Sequence, residues 1–117
     1  MGKVPTRDYP YLIDTLLGNT LYIGKNNSFI NSYSENLNIY KVVIPNGIVS
    51  IPESCFQGCT NLNAVVIPNS INTLGRNAFS QSKSLRKFYL SNNIIDLDQS
   101  IFNACSNLEK IVFNKNL

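Results

Sequence analysis

Histidine and tryptophan are both missing from the 117 residues, and only 15% of positions are charged. Without histidine there is no imidazole for general acid–base work near neutral pH, and none to ligate zinc. No apolar run reaches the roughly 18 residues that a membrane-spanning helix needs. No basic segment leads into an apolar core at the start, so no signal peptide is visible. That absence favours a cytoplasmic location. Neither G-x-x-x-x-G-K-[ST] nor G-x-G-x-x-G occurs, so no phosphate cradle is supported and no cofactor is expected. The net charge is only +3 and the pI about 8.8. Nucleic-acid-binding domains tend to exceed a pI of roughly 9 with clustered basic residues. Here those residues spread from Lys3 to Lys115, and no nucleic-acid partner is expected.

What is present fits one globular domain: 44% hydrophobic residues, with 18 Asn and 12 Ser supplying polar surface that charges do not. The hydrophobic residues repeat. On a 23-residue period Ile44, Ile67, Leu90 and Phe113 share one column, and Val42, Val65, Phe88 and Ile111 a second. Ile48, Ile71, Ile94 and Leu117 form a third, and Ile51, Leu74 and Leu97 a fourth. Phe56, Phe79 and Phe102 recur likewise, as do Leu62, Leu85 and Leu108. Cys59, Ser82 and Cys105 share a column of small residues. Six apolar columns without an insertion are a strong repeat signal.

Each unit alternates through Val65 to Ile67 as a strand does, and then meets Pro68-Asn69-Ser70, which matches Pro45-Asn46-Gly47. Proline fixes its own φ and lacks a donor, and Asn and Gly tolerate left-handed backbone, so these are turns. A coil of this length cannot bury its apolar columns alone. Stacked coils, about 4.8 Å apart, bury them together. The expected fold is mainly β, a solenoid of three to four coils.

The run LNAVVIPNSINTLGRNAFSQSKSL (residues 62–85) resembles the BspA-type leucine-rich repeat, with its pattern L-x-x-I-x-I-P…V-x-x-I-G-x-x-A-F-x-x-C-x-x-L. Residues 42–64, 65–87 and 88–110 read as three units, and 111–117 as the start of a fourth. Ser91 and Asn114 replace the proline, Pro52 and Asp98 the glycine of Gly75, and Ser82 the cysteine. Members of that family are often surface or secreted proteins of bacteria and parasitic protozoa. The resemblance therefore implies a non-enzymatic module for protein–protein interaction, and leaves the cell surface as an alternative location.

Residues 19–41 read as a degenerate repeat, with Leu21 on the Ile44 column, Tyr33 on the Phe56 column and Asn19 on the Val42 column. Residues 1–18 read as an N-terminal cap, with a helix running from Asp8 to Gly18 and an apolar face of Leu12, Ile13, Leu16 and Leu17. A strand from Leu16 to Ile23 is the competing reading.

Cys55, Cys59 and Cys105 lack the histidine that would activate a thiol, and read as buried structural residues. Cys59 and Cys105 lie two coils apart, roughly 9–10 Å, too far for a disulfide. Asp96 and Asp98 flank Leu97 and should point outward together, too few oxygens for calcium, so no metal is expected. Gly2 with Thr6 fits a loose acylation pattern, and Asn26-Asn27-Ser28 is the lone glycosylation sequon. Both patterns arise often by accident.

The strand faces carry the functional reading. If Val65 and Ile67 point inward, then Val43, Val66, Tyr89 and Val112 form an outward apolar column. Lys41, Ala64, Lys87 and Lys110 run beside it, with Arg86 adjacent. An apolar stripe edged by lysine suits a protein partner. The alternative is a structural or assembly fragment acting through end-to-end self-association. There Ile111, Val112, Phe113 and Leu117 leave core positions uncovered, and a homodimer through this C-terminal coil is expected.

Overall fold

The computed structural model describes residues 9–26, 30–94 and 96–114. Among them run eight short strands, β1 (Thr15–Leu17), β2 (Thr20–Tyr22), β3 (Lys41–Val43), β4 (Ser50–Ile51), β5 (Ala64–Val66), β6 (Thr73–Leu74), β7 (Lys87–Ser91) and β8 (Lys110–Asn114). A 3-10 helix spans Gln99–Phe102. Six strands form one sheet in the order β1-β2-β3-β5-β7-β8, and β4 pairs with β6 in a second. Every pairing in the larger sheet is parallel except that of β1 with β2. Each coil thus contributes one strand to the larger sheet, turns at its proline or polar equivalent, and returns along the far side. The result is a β-solenoid of about four turns.

The pairing register explains the sequence columns. Val42, Val65, Phe88 and Ile111 sit opposite one another across β3, β5, β7 and β8. β-Branched residues suit such a pleated surface. The Val42, Val65 and Phe88 side chains are buried, as are Ile44, Ile67 and Leu90 in the next inward column. Aromatic rings fill the other side of the core. Tyr33 stacks on Phe56 at 5.9 Å between centroids, and Phe56 on Phe79 at 5.4 Å, with the ring planes nearly parallel in both pairs. The stack then breaks. Phe88, bulkier than the valines of its column, lies edge-on to both Phe79 and Phe102 at 4.8 Å.

Small polar side chains bond one coil to the one before. Cys59, Ser82 and Cys105 donate to the carbonyls of Tyr33, Phe56 and Phe79 respectively, at 3.1, 3.2 and 3.1 Å. The column accepts cysteine or serine because the position asks for a small donor. Asn61 and Asn107 likewise donate to Leu37 and Lys83 carbonyls. The Ser70 hydroxyl accepts from the Gly47 N–H at 3.0 Å and donates to the Ile48 carbonyl at 2.7 Å.

Three expectations need correction. Residues 9–18 hold no helix; β1 and β2 form an antiparallel hairpin across Gly18-Asn19, with Gly18 at φ 61°. Glycine followed by asparagine between two β-formers is a two-residue hairpin turn, and it overrides the helical spacing. The segment before it bends at Leu12 and Ile13 and is tied elsewhere, since the Tyr11 and Leu12 carbonyls accept from the Lys25 and Asn26 N–H groups. Asp8, the proposed helix cap, lies outside the described residues.

Second, Leu21 pairs with Val42, not Ile44, so Asn19 never enters the core. Tyr33 still stacks on Phe56. The first coil is therefore two residues shorter than the period between its strand and its aromatic ring. Third, Leu97 is 38% exposed while Ile51 and Leu74 are buried. Asp98 caps the 3-10 helix by accepting from the Ser100 N–H at 2.8 Å and its hydroxyl at 2.7 Å. Residues 96–98 belong to no strand, although Asp98 itself keeps an extended backbone, so the two aspartates, both exposed, have no strand face to share. Phe113, paired opposite Leu90 in a core column, is 46% exposed, in line with the uncovered core positions expected at this coil. No further strand packs over it among the described residues. Leu117, Gly2, Thr6 and most of the sequon lie outside those residues.

Candidate functional site

The outward face of the larger sheet follows from the same registers. Val43, Val66, Tyr89 and Val112 stand opposite one another on β3, β5, β7 and β8. Their inward neighbours Val42, Val65 and Phe88 are buried, so this column faces solvent; Val66 is 55% and Tyr89 39% exposed. Two residues back along each strand, and so on the same outward face, come Lys41, Ala64, Lys87 and Lys110, again in register. The three lysines are exposed and make no ion pair among the described residues. Arg86, beside them, bridges to Glu109 of the next coil at 2.6 Å.

The two-residue contraction of the first coil extends this stripe by one residue. Tyr22 pairs with Val43 and so joins the outward column. Tyr11 stacks on it with centroids 4.5 Å apart, and Tyr9 meets Tyr11 edge-on at 5.6 Å. The Tyr9 hydroxyl donates to the Ile23 carbonyl at 3.1 Å. Burial, with the neighbouring Tyr22 and Tyr11, pushes its pKa up to about 12. Sequence reasoning missed this tyrosine cluster. Tyr22 reaches the outward column only once the contraction is known, and the helical reading had sent Tyr9 and Tyr11 elsewhere.

The other chemical candidates resolve into structural roles. The Cys55 thiol is enclosed and donates to the Asn31 carbonyl, and burial pushes its pKa up to about 12. Burial raises Cys59 and Cys105 as well. A thiol held protonated is a poor nucleophile. Asp98 is lowered by its bonds to Ser100, with Arg76 adding to the effect. A cleft of about 580 Å³ opens beside it between β6 and residues 96–98, lined by Asn72, Thr73, Arg76, Asp96 and Leu97 among others. It offers charge but no nucleophile paired with a base. Among the described residues no three potential ligands gather as a metal site, and no helix is long and apolar enough to cross a membrane.

A family model described as a BspA type leucine rich repeat region (6 copies) matches residues 22–117. Comparison with curated proteins and with solved structures gives no match.

Proposed function

The chain belongs to the BspA-type leucine-rich repeat family, and from that premise we propose that it is a non-enzymatic module that binds a protein partner through the outward face of its six-stranded sheet. The family is one of repeat proteins suited to interaction. One observation supports this face above others: a continuous apolar and aromatic stripe, Tyr22 to Val112, edged by unpaired lysines. Exposed contiguous apolar surface rimmed by polar groups is what interaction sites present.

A photo-crosslinking residue placed at Val66 should join covalently to a partner in extract of the native cell, and one at Thr73 on the second sheet should not. The double variant Val66→Ser with Tyr89→Ala should weaken capture and leave the far-UV circular dichroism unchanged. Equal capture by that variant would sink the reading.

A second reading has its own observation. Strand β8 forms an edge of the large sheet, and Phe113 within it is 46% exposed. Two copies of the 117-residue chain could pair Ile111, Val112 and Phe113 antiparallel about a twofold axis. Sedimentation should then show a concentration-dependent dimer, and Val112→Lys or Val112→Pro should give monomer. A monomer up to roughly millimolar concentration, where even weak association registers, excludes it.

A further inference from the structure

We propose that the outward face takes an acidic amphipathic α-helix of about 13 residues, laid across the strands along the solenoid axis. Its apolar stripe rests on the column from Tyr22 to Val112, and its carboxylates meet Lys41, Lys87 and Lys110. This deepens the reading of that face as the partner surface and rests on it.

The secondary structure of the occupant follows from hydrogen bonding. Strands β2, β3, β5 and β7 are each paired on both sides, so their N–H and C=O groups are spent within the sheet. The face offers a partner side chains only. An extended segment lying on the apolar column would leave its own backbone groups unpaired there, which is costly. A helix satisfies those groups internally and presents one apolar stripe. Four strand steps separate Tyr22 from Val112, about 19 Å at the usual spacing, which about 13 residues of helix span.

The charge of the occupant follows from the lysine row. Lys41, Lys87 and Lys110 have no acidic partner among the described residues, whereas Arg86 does. The acidic residues Glu53, Asp96 and Asp98 belong to the opposite side of the coil, beyond β4 and β6. Lys110 and Lys87 are one step apart, about 4.8 Å, and Lys41 two steps further, about 14 Å from Lys110. Carboxylates at helix positions i, i+3 and i+10, rising about 4.5 and 15 Å, match that uneven spacing. The lysines flank the stripe on one side only. A nucleic acid or sulfated polysaccharide would instead lay much of its charge over valine.

The test is selection from a displayed library of random 14-residue segments, with the whole chain as bait and an unrelated protein as control. Enriched segments should show apolar residues at i, i+3, i+4 and i+7 with Asp or Glu along one flank, and should gain helical circular dichroism on binding. The variants Lys41→Glu/Lys87→Glu/Lys110→Glu and Val66→Ser/Tyr89→Ala, each with unchanged far-UV circular dichroism, should bind them at least tenfold more weakly. Replacing the acidic flank by lysine should restore binding to the triple-glutamate variant. Segments that need this face but bind extended, or without acidic residues, overturn the helix while leaving the partner face standing. Segments indifferent to both variants overturn both. Absence of enrichment over the control, or tighter binding of a heparin fragment or oligothymidylate than of any segment, also overturns the proposal.

Discussion

At residues 35, 58, 81 and 104 the backbone makes the same left-handed turn, with φ between 60° and 72°, yet only position 58 is glycine. An L residue there costs on the order of 1 kcal/mol. Gln81→Gly should therefore raise stability by up to about 1 kcal/mol in urea titration; a loss would mean that its side chain is needed. The buried rings carry the opposite sign. Phe79 stacks on Phe56 and touches Phe88, and Phe79→Ala should cost about 3–5 kcal/mol through lost transfer energy and the cavity left behind. A cost below about 1 kcal/mol would place that ring outside the core. The Cys55 thiol sets a pH dependence. Its pKa rises from 9.0 to about 12 on folding, through burial. The folded state therefore holds the proton more tightly, so this stabilisation is complete below pH 9 and is lost as pH climbs towards 12. Thermal melts should fall across that window and fall less in Cys55→Ala. Tyr9, shifted the same way by burial, keeps the slope from vanishing.

Two glycines show what holds element to element. A Cβ on Gly75 would lie 2.3 Å from the Glu53 nitrogen, and one on Gly24 would lie 2.4 Å from the Ile13 backbone. Gly75→Ala must push neighbouring coils apart and should cost about 1–3 kcal/mol, read as a lower urea midpoint; an unchanged midpoint would refute the close approach. At this scale the sequence was legible wherever coils repeat without insertion. Val42, Val65 and Phe88 occupy equivalent places because stacking demands equivalent side chains, so counting by 23 finds them. It failed where one element alters the count. The first coil drops two residues between strand and ring, which no periodicity within one coil can reveal; only the pairing of Leu21 with Val42 does. The hairpin was hidden because Leu12, Ile13, Leu16 and Leu17 have helical spacing, although all four are exposed and bury no helical face. Leu97 was misplaced because Asp98 serves its own turn. The outward column was readable from strand alternation, but its tyrosine end was not, since it depends on that same contraction.

Across the whole molecule, burial is uneven along the axis. Phe56 and Phe79 are fully enclosed, whereas Phe102, Cys105, Leu108 and Ile111 are only partly buried. Solenoid stability is close to a sum over coils and their interfaces, so the coils open separately. Native-state hydrogen exchange should find the amides of β3 and β5 most protected and those of β8 least. Equal protection of β8 at low protein concentration would contradict this gradient.

The bridge that Ser70 makes between coils also bears on the chemical lifetime of the chain. Asn46-Gly47 is exposed, and asparagine followed by glycine ages by deamidation. The glycine nitrogen attacks the side-chain amide carbon, a ring closes, ammonia leaves, and water then reopens the ring as aspartate or isoaspartate. That attacking nitrogen is the one whose N–H Ser70 holds at 3.0 Å. Ser70→Ala frees it, and mass spectrometry of samples stored at mildly alkaline pH should show Asn46 gaining one mass unit faster than in the parent chain. The same hydroxyl that joins two coils thus sets how long the turn between them keeps its original covalent form.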